Sequence, residues 1–185
     1  SSQEVRALAH FEDGALMEQY IQDPGLDPHQ FAADLITQLT GHTMTRSDTK
    51  RIAFSILYGS GIKSLSADLG VPYHEGARFK ELYLAAFPGV RDLTADIKLR
   101  GRRGLPVRTV GGRLIFAERG ANGRDFSYKL LNHLIQGSAA DITKQGVINY
   151  HTAGGVQLLA LVHDEVNASC PREELEYQSE LLRAT

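Results

Sequence analysis

Two adjacent carboxylates, Asp164 and Glu165, close the run Leu158-Leu159-Ala160-Leu161-Val162-His163, and Val166-Asn167-Ala168-Ser169-Cys170 leads away from them. The pattern predicts a β-hairpin with acids at its tip. Two-residue hairpin turns favour Asn-Gly, Asp-Gly or a leading glycine, because the strand twist calls for positive φ. Asp-Glu is a poor turn pair, and its like charges repel. A divalent cation at the tip would relieve the repulsion. A solvated acidic turn would accommodate the same residues.

A second constellation lies upstream, where Arg46, Lys50, Phe54 and Tyr58 recur at every fourth position. At 3.6 residues per turn, each step of four drifts by about 40°. The four side chains therefore form one slanted stripe, cationic at its N-terminal half and aromatic at its C-terminal half. A triphosphate could lie along the cations while a base stacks on Phe54. Gly59 and Gly61 follow as helix-ending residues. An amphipathic helix with Phe54, Ile56, Leu57 and Tyr58 in the core fits the same spacing.

Together the two elements resemble motifs of the family A, DNA polymerase I-like polymerases. The stripe is similar to motif B, Arg-x3-Lys-x3-Phe-x3-Tyr-Gly, and His163-Asp164-Glu165 resembles motif C. Asn132-x3-Gln136-Gly137-Ser138-Ala139-Ala140-Asp141 is similar to the family's Gln-Gly-Thr-Ala-Ala-Asp segment. The opening, Ser1 to His10, resembles the tail of motif A. Phe87-Pro88-Gly89-Val90 and Thr109-Val110-Gly111-Gly112-Arg113 match further landmarks, so the resemblance spans essentially the whole chain.

The resemblance implies template-directed DNA synthesis: a primer 3′-hydroxyl attacks a deoxynucleoside triphosphate, with two Mg²⁺ ions on the attacking and leaving oxygens. Asp164 matches a metal ligand and catalytic residue, and Glu165 an accompanying catalytic acid. Lys50 matches a catalytic proton donor to pyrophosphate, and it joins Arg46, Phe54, Tyr58 and Glu4 as nucleotide-binding residues. Glu4 matches the side chain that excludes a ribose 2′-hydroxyl. Asn132, Gln136, His163, Arg6 and Arg113 match DNA contacts. Asn132 and Gln136 share a helix face. An amide there can test the minor-groove acceptor common to every base pair. The family usually has arginine where this chain has Tyr128. Primer-template DNA and a deoxynucleotide are the implied partners, with an unspecified processivity partner. The alternatives are a single-subunit phage-type RNA polymerase and a non-catalytic DNA- or nucleotide-binding remnant.

The elements that must position these residues give an α+β fold. A mostly helical fingers block, residues 23–103, is expected to interrupt a palm formed by residues 1–22 and 104–185. Helices are predicted over residues 4–20, from Pro28 to Gly41, through the stripe, at 65–69, from about 74 to 87, over 93–99, and from 125 to 150. Pro88-Gly89 is read as a stop. Gly111-Gly112 is read as a two-residue hairpin turn between Val107–Val110 and Arg113–Phe116. The last helix, from Pro171 onward, has no stop signal before Thr185. The motif A aspartate, expected two residues before Ser1, is not in the sequence. The chain therefore reads as a fragment, and the 185 residues alone are not expected to extend a primer.

Composition sets outer bounds. With 42% apolar and 23% charged residues, the chain is globular rather than disordered. One cysteine, Cys170, excludes an internal disulfide and suits a reducing, cytoplasmic setting. No apolar run is long enough to suggest a membrane partner. A net charge of −2 gives no global signature of nucleic-acid binding. Affinity must come from local clusters, such as Lys98, Arg100, Arg102, Arg103, Arg108 and Arg113. A solvated basic loop fits those residues too.

Overall fold

A computed structural model describes residues 3–120, 122–162 and 165–184. The fold is α+β, as expected: helices predominate and the described strands form two small antiparallel sheets. The single helix expected over residues 4–20 is instead two, α1 (Gln3–Glu12) and α2 (Ala15–Gln22). The chain breaks at Asp13, whose φ is 46°. Glu12 then turns its carboxylate onto the amides of Leu16 at 3.0 Å and Met17 at 3.3 Å. It satisfies N-terminal donors of α2 as a capping side chain would, from outside the usual position. Apolar spacing continues across the break, so periodicity alone could not show it.

The next two helices start where their caps predict. Asp27 accepts from the amides of His29 and Gln30 and opens α3 (Pro28–Thr40), which Gly41 closes in the left-handed region. Thr45 accepts from the Asp48 amide at 3.1 Å and donates to the Asp48 carboxylate at 2.6 Å, opening α4 (Arg46–Leu57). Then come α5 (Ile62–Leu69), α6 (Tyr73–Ala86) and α7 (Pro88–Arg102). Pro88 does end α6, but it also begins α7 at once. A first-turn proline lacks only an amide that would be unpaired there anyway.

Strands β1 (Val107–Arg108) and β2 (Leu114–Ile115) pair antiparallel, Val107 opposite Ile115. Their loop has three residues rather than the two expected. The Thr109 amide bonds the Arg113 carbonyl, and Gly112, at φ 86°, supplies the left-handed step. A 3-10 turn at Ser127–Lys129 leads into α8 (Leu130–Thr152). The hairpin of β3 (Leu158–Val162) and β4 (Glu165–Ala168) follows, with Val162 opposite Glu165, and α9 (Leu175–Ala184) comes last. Among the described residues, no helix is long and apolar enough to cross a membrane.

One core joins the helices. Val5 and Leu8 of α1, Ile36 of α3, Ile52 and Ile56 of α4, and Leu134 of α8 all contribute to it. Helix α1 packs on α2, α7 and α8, and α4 packs on α3, α5, α6 and α8. The end of α4 meets the 3-10 turn at a point where only glycine fits. Gly59 has φ 66°, and a Cβ there would lie 2.6 Å from the Tyr128 carbonyl oxygen. Gly41 has a similar φ of 69° but open space around it. Gly41→Ala should therefore lose about 1–2 kcal/mol from left-handed strain alone. Gly59→Ala should lose that and about 1–3 kcal/mol more for overpacking. Denaturant unfolding of both variants measures the difference, and equal losses would show that the contact with Tyr128 is not tight.

Candidate nucleotide and nucleic-acid interface

Helix α4 uses its two faces differently. Ile52, Ala53, Ile56 and Leu57 are buried, while Arg46 and Lys50 stand in solvent. Phe54 lies between these extremes, half-buried, with its ring 5.9 Å from His29 and 5.6 Å from Tyr58. Lys50, Phe54 and Tyr58 line an open cleft of about 560 Å³, together with Arg51, Ser60 and Asp68. That volume is in the range of small-molecule sites. The structure brings Lys50, Phe54 and Tyr58 of the stripe to one cleft, while Arg46 is not among the cleft's lining residues.

The first cation of the stripe is already engaged. Arg46 Nε donates to Asp27 Oδ2 at 2.6 Å, while the other Asp27 oxygen caps α3. The bond from Arg46 holds the Asp27 carboxyl below its usual range. Partial burial opposes this, and the Gln30 and His29 amides add to it. Beside them His29 is buried, and its carbonyl accepts from Thr49 at 2.7 Å. Burial foremost lowers the imidazole pKa against the pull of Asp27, with Arg46 and Lys50 adding to the lowering. From sequence His29 is only a residue in the first turn of α3. The ring contact with Phe54 is what places it at the cleft, and no local signal announces that contact.

At the aromatic end, three distant segments converge on one hydroxyl. Tyr58 donates to Glu4 Oε2 at a long 3.4 Å, and Gln136 of α8 bonds the same hydroxyl. Burial first, then the Glu4 charge, raises the Tyr58 pKa. Asn132, one step of four before Gln136, is half-buried on α8. Thus Glu4, Tyr58 and Gln136 meet, although the first and last stand in separate helices.

Two sequence candidates are occupied elsewhere. Arg6 donates to the Pro24 carbonyl and lies over the Tyr20 ring at 4.6 Å, on the α2 side of α1. Arg113 pairs with Asp141 at 2.7 Å and donates to the Gly137 carbonyl, tying the β1–β2 hairpin to α8. Burial raises the Asp141 pKa, but hydrogen bonds from Thr109 and Arg113, with the Arg113 charge, outweigh it and leave the group low. Within the basic cluster, Arg100 pairs with Asp96 and Arg102 with Asp125, and Arg108 bonds the Gly112 carbonyl.

His163 and Asp164 lie outside the described residues. Glu165 is exposed at the start of β4. No group of three or more His, Cys, Asp or Glu side chains among the described residues is spaced to hold a metal.

The family model for DNA polymerase family A matches residues 1–185. DNA polymerase I of Deinococcus radiodurans is 34% identical over 97% of this chain and 20% of its own length. The DNA polymerase of Mycobacterium phage L5 is 33% identical over 95% of this chain and 28% of its own length. The chain thus spans between a fifth and three tenths of the length of these relatives. The polymerase domain of Pol1 from M. smegmatis, solved in complex with DNA primer-template and dNTP, superposes with a TM-score of 0.83 at 28% identity. It covers 100% of this chain and 35% of that one. The chain belongs to DNA polymerase family A.

Proposed function

We propose that this chain carries the nucleotide- and template-facing part of a DNA-directed DNA polymerase. Residues 23–103 act as fingers, and the flanking segments act as palm. The observation that carries this reading is the meeting of Glu4, Tyr58 and Gln136 at the aromatic end of a stripe whose other end is cationic. Such a site can hold a triphosphate, stack a base and test a sugar in one cleft. The Pol1 structure holds DNA primer-template and dNTP, which supports the same two ligands here.

In this reading Arg46 and Lys50 bind the triphosphate, Arg46 through its planar fork and Lys50 as a point charge. The primer 3′-oxygen bonds to the α-phosphorus as the bond to the β-phosphate oxygen breaks. Lys50 gives a proton to the departing pyrophosphate. Phe54 stacks beside the sugar and base, and Tyr58 faces the templating base. Asn132 and Gln136 reach minor-groove acceptors on the new pair. Asp164 and Glu165 offer only oxygen donors, which suits Mg²⁺, and Glu165 stands exposed at the hairpin. When bound there, Mg²⁺ would supply charge stabilisation to the transferring phosphoryl group. Glu4, held against Tyr58, would fill the space a 2′-hydroxyl needs. That placement favours a DNA polymerase over an RNA polymerase of similar motifs.

Three outcomes test this reading. Glu4→Ala should narrow the preference for deoxy- over ribonucleotides in complexes with primed template by about tenfold or more, as expected when a steric contact is deleted. Competition between dCTP and CTP measures it, and an unchanged ratio would remove Glu4 from sugar selection. Asp27→Asn keeps a capping oxygen for α3 but frees the Arg46 guanidinium. Triphosphate affinity should then rise several-fold, read by equilibrium binding. The Asp27 carboxyl has a lowered folded pKa, so its contribution to stability is present above the unfolded-chain value. That contribution is lost as pH falls through the lower folded one. Arg46→Gln should raise the Asp27 midpoint in a carbon-13 titration.

A further inference from the structure

Helix α1 sends polar side chains toward both ends of the stripe. Glu4 meets Tyr58, at the C-terminal end of α4. Arg6, two residues on, leaves α1 about 200° around the helix and turns to the segment before α3. Its guanidinium lies 4.6 Å from the centre of the Tyr20 ring, and Nη2 donates to the Pro24 carbonyl. Tyr20 is buried, so its ring is a fixed platform for the cation. The Tyr20 hydroxyl is buried without a hydrogen-bond partner. Burial raises its pKa, the Arg6 charge opposes this and the Asp27 charge adds to it. Arg6, Tyr20 and Asp27 thus share one electrostatic neighbourhood, although they come from α1, α2 and the cap of α3.

The segment from Asp23 to Asp27 is stiff enough to pass that anchorage on. Asp23 Oδ1 accepts from the Gly25 amide at 2.8 Å, and the Asp23 carbonyl accepts from the Leu26 amide at 3.1 Å. The ring of Pro24 fixes its φ. The turn ends at Asp27, which caps α3 with one oxygen and holds Arg46 with the other. That ion pair is exposed, hence weak enough for a triphosphate to displace. We propose that Arg6 is a positioning residue for triphosphate binding: by tying the Pro24 carbonyl to α1, it sets the turn so that Asp27 keeps Arg46 until a triphosphate takes it. The proposal rests on the reading of Arg46 as a triphosphate ligand given above. The helix that carries Glu4 thereby also governs the cation at the far end of α4.

The test is a double-mutant cycle on Arg6 and Asp27, read by equilibrium binding of dCTP to the protein on primed template. Arg6 is exposed between buried residues of α1, so Arg6→Gln leaves the core contacts of that helix in place. Arg6→Gln should raise dCTP affinity by about twofold or more, the scale open to an exposed ion pair. The same change should have no effect in the Asp27→Asn protein, where Arg46 is already released. The Asp27 carboxyl, held low first by the bond from Arg46, should titrate at higher pH in Arg6→Gln when followed by its carbon-13 resonance. A role confined to keeping α1 folded would move neither the Asp27 midpoint nor the coupling between the two sites. Equal effects of Arg6→Gln in both backgrounds, or an Asp27 midpoint unchanged from the wild type, would overturn the proposal. A shifted midpoint with dCTP affinity unchanged in every variant would instead refute the triphosphate reading of Arg46 on which the proposal rests.

Discussion

Burial of one face of α4 determines where the cleft side chains that this helix carries point. Ile52, Ile56 and Leu57 are almost completely withdrawn from water. Each such aliphatic side chain contributes about 1.5–3 kcal/mol when buried. Rotating α4 by a single residue would forfeit several of these contributions. The exposed pair of Arg46 and Asp27, by contrast, is of the kind that contributes about 0–1 kcal/mol. The core therefore sets the rotation, and the polar contacts adapt to it. That ordering of energies lets Arg46 exchange Asp27 for a ligand without disturbing the helix.

The same economy appears at the other end of the stripe. Tyr58 is the C-cap residue of α4, and Gly59 turns the chain immediately after it. The helix can stop there because Gly59 passes flush against the Tyr128 backbone. The stop leaves the Tyr58 ring projecting between α1 and α8, where Glu4 and Gln136 meet its hydroxyl. A bulkier residue after Tyr58 would push the 3-10 turn, and α8 behind it, away from the cleft. The polar meeting point thus depends on a backbone contact that carries no chemistry of its own.

What could be read from the sequence follows the distance over which each signal acts. Asp27 and Thr45 both cap within three residues, and the start of α3 is legible from the proline in its first turn. The stripe was legible because its period is a property of one helix. The break at Asp13 was not, since Glu12 caps in an unusual way while apolar spacing runs on. The β1–β2 loop is one residue longer than the glycine pair predicts. Two adjacent glycines resemble a two-residue turn, but only Gly112 takes positive φ and Val110 joins the loop. Arg113 and Arg6 match DNA contacts in the sequence, yet the structure engages both within the fold. Their partners, Asp141 and the Tyr20 ring, lie 28 and 14 residues away along the chain, at separations where local pattern is silent.

The β3–β4 ribbon has a consequence for how the chain behaves in solution. Leu159, Leu161 and Val162 are exposed, and in the described residues the ribbon is a sheet of only two strands. Leu158-Leu159-Ala160-Leu161-Val162 contains no charge and no proline. Both outer edges of such a ribbon offer unpaired amides and carbonyls to any other extended chain. Leucine-rich, uncharged segments of this kind are those that stack into intermolecular sheets. The 185 residues in isolation would therefore have a narrow colloidal window, clouding first through this hairpin as concentration or salt rises.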